Sequence, residues 1–154
     1  MKPPHPIERL DAVHREYLIA QLAVERLRLV VAQDPSVLQK EKGRLGGADL
    51  RACRRNLQHT YIIRLFAEFE AALRTYWRDV RKRRTWNTIP TEVLIQSVAA
   101  YRGVPGSDLG RVQEVRRLRN NLVHLAAERG VAVLMLDECL SRLGAFLSFL
   151  PLRW

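Results

Sequence analysis

The sequence predicts an all-α fold, a bundle of about five helices with a long second helix. Three observations carry this. Apolar residues recur at steps of three and four along most of the 154 residues, the period of one helix face. Almost nothing alternates with period two, as a half-buried strand would. Proline and glycine gather between the periodic runs, at Pro3 to Pro6, Pro35, Gly43 to Gly47, Pro90, Gly103 to Gly106 and Gly130, where chain breakers belong. A chain of this length makes one domain. Residues 1–154 are therefore expected to form a single unit, with a flexible N-terminus at 1–6.

The first helix is expected from Ile7 to Gln33, burying Leu10, Val13, Tyr17, Ala20, Val24, Leu27 and Val31 on one face. Asp34-Pro35 ends it, because the residue before a proline is pushed out of the α region. A polar, Gly-bearing loop follows. The second helix is expected from about Asp49 to Arg84, with the stripe Leu50, Cys53, Leu57, Tyr61, Leu65, Phe69, Leu73 or Tyr76, and Val80. Steps of four drift by about 40° each around an ideal helix. The face therefore winds to include Phe66 and Trp77, and so long a helix should pack on more than one neighbour.

A short third helix follows Thr88-Ile89-Pro90, turns Val93, Leu94 and Val98 inward and ends near Gly103. The fourth opens at Ser107-Asp108, residue types that cap helix N-termini. It carries Leu109, Val112, Val115, Leu118, Leu122, Leu125 and Ala126, and Gly130 closes it. The last is expected from Val131 to Leu150. It is apolar on most sides, which suits a central helix or one in a subunit interface.

Composition narrows the function. Hydrophobic residues make up 47%, enough to bury a core, and 26 Lys and Arg against 16 Asp and Glu leave a net charge of +10. An excess of that size points to a polyanion, RNA or DNA first, then an anionic surface or an acidic protein. No apolar run reaches the roughly 18 residues of a membrane span. The N-terminal residues lack the apolar core of a secretory signal, and a cytoplasmic location is expected. Cys53 and Cys139 have no CxxC partner and no His at metal spacing. A disulfide scaffold and a zinc module are thereby excluded, and no metal or cofactor is expected.

The chemistry concentrates on the fourth helix, in Glu114-Val-Arg-Arg-Leu-Arg-Asn-Asn-Leu-Val-His124. Asn120 and His124 are i,i+4 neighbours on one face, and Arg116 lies one turn before Asn120. Arg117 is nearly in line with His124, two turns earlier. Arg119 sits about 140° around the helix from His124. This set suits cleavage of an RNA phosphodiester without a metal. A histidine can take the proton of a 2′-hydroxyl or give one to the leaving oxygen. A guanidinium can grip the non-bridging oxygens and stabilise the added charge. An amide four residues back can hold the ring. One helix cannot aim the diverging Arg119 and His124 at a single phosphate. A two-fold dimer through the fourth-helix face would bring two sets into one cleft.

Arg119-Asn120-x-x-x-His124, on the penultimate helix of an all-α domain, resembles the Arg-x4–6-His motif of HEPN domains. The segment from Tyr61 to Trp77, aromatic with an embedded Glu70, is similar to the matching helix in the RiboL-PSP branch of that superfamily. The resemblance covers about residues 7 to 150. It implies a dimeric, metal-independent endoribonuclease that leaves a 2′,3′-cyclic phosphate and a 5′-hydroxyl. It also implies a toxin of a toxin–antitoxin or phage-defence system, held in check by a cognate antitoxin protein. Arg119 and His124 would be catalytic and Asn120 would support them. In one subgroup the motif continues as His-x-Tyr and the antitoxin modifies that Tyr. Ala126 stands there in this chain, so that mode of neutralisation is not expected.

Around the motif, Glu70 admits two readings. One is a surface pair with Arg74 at i+4. The other, preferred, is a partly buried carboxylate that meets Arg119 and orients it. Arg78, Arg81, Lys82, Arg83 and Arg84 near the end of the second helix suit the local dipole, and their density also suits an RNA backbone, as does Arg117. Trp86 can stack a base or simply pack. His5, His14 and His59 are assigned no chemistry. Two competing functions stay open: a non-catalytic module of this fold that holds RNA or an acidic partner, and an all-α DNA-binding regulator. The second lacks a clean helix-turn-helix.

Overall fold

A computed structural model of the chain describes residues 5–40, 45–81, 89–124, 131 and 133–151. The described residues form six helices and no strand: α1 Pro6–Gln33, α2 Ser36–Lys40, α3 Gly47–Arg81, α4 Thr91–Arg102, α5 Gly106–His124 and α6 Leu136–Leu147. The expected first, second, third, fourth and last helices are α1, α3, α4, α5 and α6. The all-α class and the long α3 are as the sequence predicts. Gly130, read as the end of the fourth helix, lies outside the described residues, as do Leu125 and Ala126.

Two local differences have physical causes. α2 occupies what the sequence reads as loop. Asp34, extended at φ −135° and ψ 90°, accepts hydrogen bonds at Oδ1 from the Ser36 N–H (3.0 Å) and hydroxyl (2.6 Å). The Asp-Pro pair that stops α1 thus also opens the next helix, since Asp is a good cap and Pro fits a first turn. The second difference is α6, which begins at Leu136 and not at Val131. Before it the chain is extended, with Met135 at φ −79° and ψ 159°. Leu134 and Leu136 are buried while Val133 (92% exposed) and Met135 (59%) face solvent. That is the two-residue alternation of extended backbone. Asp137 and Glu138 then fall in the first turn of α6, where the helix dipole favours acids.

The core gathers on the C-terminal part of α3. Ile62, Leu65, Phe66, Phe69, Ala72, Leu73, Tyr76 and Trp77 are all buried, and α1, α4, α5 and α6 pack around them. Phe69 sits at the centre, with ring centroids 5.7 Å from Phe66 and 5.6 Å from Phe146. α6 is a central helix: Leu136, Cys139, Leu143, Phe146 and Leu147 are buried. Gly103, at φ 67°, closes α4 in the left-handed region, where a residue without Cβ costs least.

Only part of the predicted stripe on α1 is buried. Leu10, Val13 and Tyr17 join the core. Beyond Tyr17, α1 pairs with the first turns of α3 as a two-helix arm: Ala20, Val24 and Val31 are half-buried, Leu27 is exposed, and so is Cys53 of α3. Ion pairs and side-chain hydrogen bonds tie the helices together. Arg9 bonds Glu68, and Arg64 bonds Glu16 at 2.7 Å, both joining α1 to α3. His14 meets Asp137 at 2.7 Å across α1 and α6. Arg142 reaches Glu114, and Arg116 reaches Glu92 at 2.9 Å. Each such surface pair contributes about 1 kcal/mol or less.

Candidate nucleic-acid site on α5

The predicted site residues lie on the C-terminal half of α5. Arg119 is half-buried and held on two sides. Its Nη1 donates to Asn120 Oδ1 at 3.0 Å. Its guanidinium lies over the buried Phe66 ring, 5.8 Å from the centroid, a cation–π contact from α5 to α3. Arg119 Nε is buried with no hydrogen-bond partner among the described residues. Leu118 and Leu122, half-buried against the core, fix this face of α5 and so set the direction in which Arg119 leaves it.

His124 is the last residue of α5 and is exposed. No hydrogen bond or ion pair joins its ring to a described residue. Asn120 was expected to hold that ring; its carbonyl oxygen instead receives Arg119, the nearer donor. Within one protomer Arg119 and His124 are not brought together, in agreement with their separation around the helix.

The preferred reading of Glu70 is corrected. Its Oε1 accepts from Arg74 Nε (2.9 Å) and Nη2 (2.6 Å), and from the Thr91 hydroxyl at 2.8 Å. Arg74 also donates to the Ile89 carbonyl, at 3.3 and 3.2 Å from its two terminal nitrogens. Glu70 therefore clamps α3 to the start of α4. Arg119 stands one helical turn away, at Phe66, and the i+4 arginine on Glu70's own helix is the closer partner. Thr91 was missed because only the return of the chain before α4 brings it there.

Arg116 is likewise engaged elsewhere. Its Nε donates to Gln113 Oε1 at 2.6 Å and its Nη2 to Glu92 at 2.9 Å, with the side chain only 17% exposed. It ties α5 to α4, and its hydrogen bonds go to neither Asn120 nor His124. Arg117 is exposed, and no ion pair joins it to a described residue. At the end of α3, Arg78 makes a 3.4 Å pair with Asp79. Arg81 lies over Trp77 at 4.7 Å and Tyr101 at 6.0 Å from the ring centroids. Lys82, Arg83, Arg84 and Trp86 lie outside the described residues. Tyr101, 54% exposed, meets the Trp77 ring edge-on at 5.8 Å beside Arg81; its place at the end of an otherwise amphipathic α4 was the signal for this aromatic cluster.

Among the described residues no three His, Cys, Asp or Glu side chains are placed to hold a metal ion. No described helix is long and apolar enough to cross a membrane. Two grooves of about 230 and 360 Å³ lie on the α1–α3 arm, lined by residues such as Glu25, Arg54 and Gln58, and Val24, Arg28 and Leu50. Neither reaches the α5 motif. Comparison of the chain with protein-family models, curated proteins and solved structures finds no match.

Proposed function

We propose that the chain is a metal-independent endoribonuclease of HEPN type, acting on single-stranded or loop RNA as a homodimer paired through α5. The observation that carries this reading is the preorganised Arg119, set between Asn120 and Phe66, five residues before an exposed His124. A guanidinium restrained on two sides loses little entropy on gripping a phosphate. In the reaction His124 of one protomer removes the 2′-hydroxyl proton. The 2′-oxygen attacks phosphorus, and the bond to the 5′-oxygen breaks. The second imidazole of the dimer protonates that oxygen, and Arg119 stabilises the charge on the non-bridging oxygens. The products are a 2′,3′-cyclic phosphate and a 5′-hydroxyl. Flexible RNA fits because in-line attack needs a 2′-oxygen free to swing behind its phosphate. The biological role we assign is a cytoplasmic toxin of a toxin–antitoxin or phage-defence pair, with a cognate antitoxin.

The separation of Arg119 and His124 around α5 within one protomer favours a second reading, an RNA-binding module without catalysis. Labelled RNA incubated with the protein in EDTA separates the two. The nuclease cleaves it to cyclic-phosphate ends, His124→Ala and Arg119→Ala each abolish cleavage, and Asn120→Ala lowers it by freeing Arg119. Retention of full cleavage by His124→Ala contradicts the mechanism. Binding without cleavage by the wild type selects the second reading.

A further inference from the structure

α1 is apolar on two opposite faces. One packs on α3. The other carries Leu18, Ile19 and Leu22, which are 46, 70 and 60% exposed, and continues to Leu29 (48%) and Val30 (46%). At about 100° per residue these five side chains, with Asp11 and Arg26, fall within an arc of roughly 120°. This is the seam of a helix that packs on another helix, yet no described element covers it.

The charges flanking the seam identify what covers it. Nearly every described carboxylate has a partner inside the protomer: an ion pair, as for Glu16, Glu25, Glu68, Glu70 and Glu114, or a backbone cap, as for Glu8 and Asp49. Asp11 is the exception: no hydrogen bond or ion pair engages it among the described residues. Arg26, on the same face, also lacks one. Asp11 precedes the apolar centre and Arg26 follows it, at equal distances from a point between Leu18 and Ile19.

We infer that this face is a second two-fold interface, in which α1 pairs antiparallel with α1 of another copy of the chain. With the axis between Leu18 and Ile19, Leu18 packs on Ile19 of the partner subunit. Arg15 lays its stem over Leu22 of the partner subunit, and Asp11 meets Arg26 of the partner subunit. Symmetry repeats every contact, as an isologous interface requires. Moving the axis two residues toward the C-terminus sets Arg15 against Arg26 of the partner subunit, like against like, so charge also selects the register. Acid at one end and base at the other is complementary to the same helix reversed. A uniformly acidic partner would leave Asp11 facing its own sign.

This interface is independent of pairing through α5, and its test reads mass and not cleavage. The full chain, a 17.8 kDa protomer, is followed by light scattering across concentration beside the double variant Ile19→Glu with Leu22→Glu. The double variant is expected to halve the mass of the assembly while keeping the wild-type helical signal, since both positions are exposed. Asp11→Arg and Arg26→Asp each place two like-charge pairs across the seam and move association to on the order of tenfold higher concentration. Combining them restores it. A monomeric wild type, an unchanged mass in the Glu variant, or a combined reversal no better than the single ones overturns the inference. RNA cleavage lost with the α1 assembly intact overturns only the catalytic reading.

Discussion

Arg119 and Cys139 show how differently one protein treats its polar side chains. Arg119 lies at the edge of the core, where an aromatic face and an amide oxygen replace part of its hydration. Cys139 is fully buried, and burial pushes its thiol up to about 12. An unfolded thiol ionises near about 8.5. The folded chain therefore holds this proton at pH values where the unfolded chain has lost it. The contribution of Cys139 to stability is complete below about pH 8.5 and drains away as pH rises toward 12. Tyr17 and Tyr76, also raised by burial, act in the same direction. Denaturant unfolding at rising alkaline pH is expected to show falling stability, with a shallower fall in Cys139→Ala. Alkylation at pH 8 is expected to modify exposed Cys53 alone until the chain unfolds.

The start of α6 shows where a one-dimensional pattern reaches its limit. Val131 to Leu136 is so apolar that helical and alternating spacings both fit it. The alternation of buried Leu134 and Leu136 with exposed Val133 and Met135 becomes visible only once the core is in place. Met135 has the backbone of Pro90, the residue that opens α4 at φ −55° and ψ 140°. Met135→Pro is therefore expected to leave the midpoint of thermal unfolding unchanged or slightly higher, by about 0.4–1 kcal/mol of lost unfolded-state entropy. A helix running through this position would instead lose about 3 kcal/mol. Elements set by strong local chemistry were readable from sequence: α1 ends at Asp34-Pro35, α4 lies between Pro90 and Gly103, and α3 declares itself by its length. α2 was missed because the Asp-Pro pair served as both a stop and a start. The Glu70 clamp was missed because Thr91 is 21 residues away in the chain.

The whole chain spends most of its described carboxylates on internal ion pairs and caps, and a net charge of +10 remains. That excess supports a polyanionic ligand. The spacing of Arg119 and His124 was plain in the sequence, and so was their divergence around α5; their meeting belongs to the proposed dimer and could not be read from one chain. In the assembly proposed here one cleft uses both imidazoles, one to take the 2′-hydroxyl proton and one to protonate the 5′-oxygen. The most direct test mixes wild-type with His124→Ala protein, allows subunits to exchange, and measures cleavage of labelled RNA in EDTA. His124→Ala alone is expected to be inactive, and an equal mixture at constant total protein to keep about a quarter of the wild-type rate, because every mixed dimer lacks one of the two imidazoles. A mixture that keeps about half of that rate, as independent protomers would, or full activity in His124→Ala alone, contradicts the shared site.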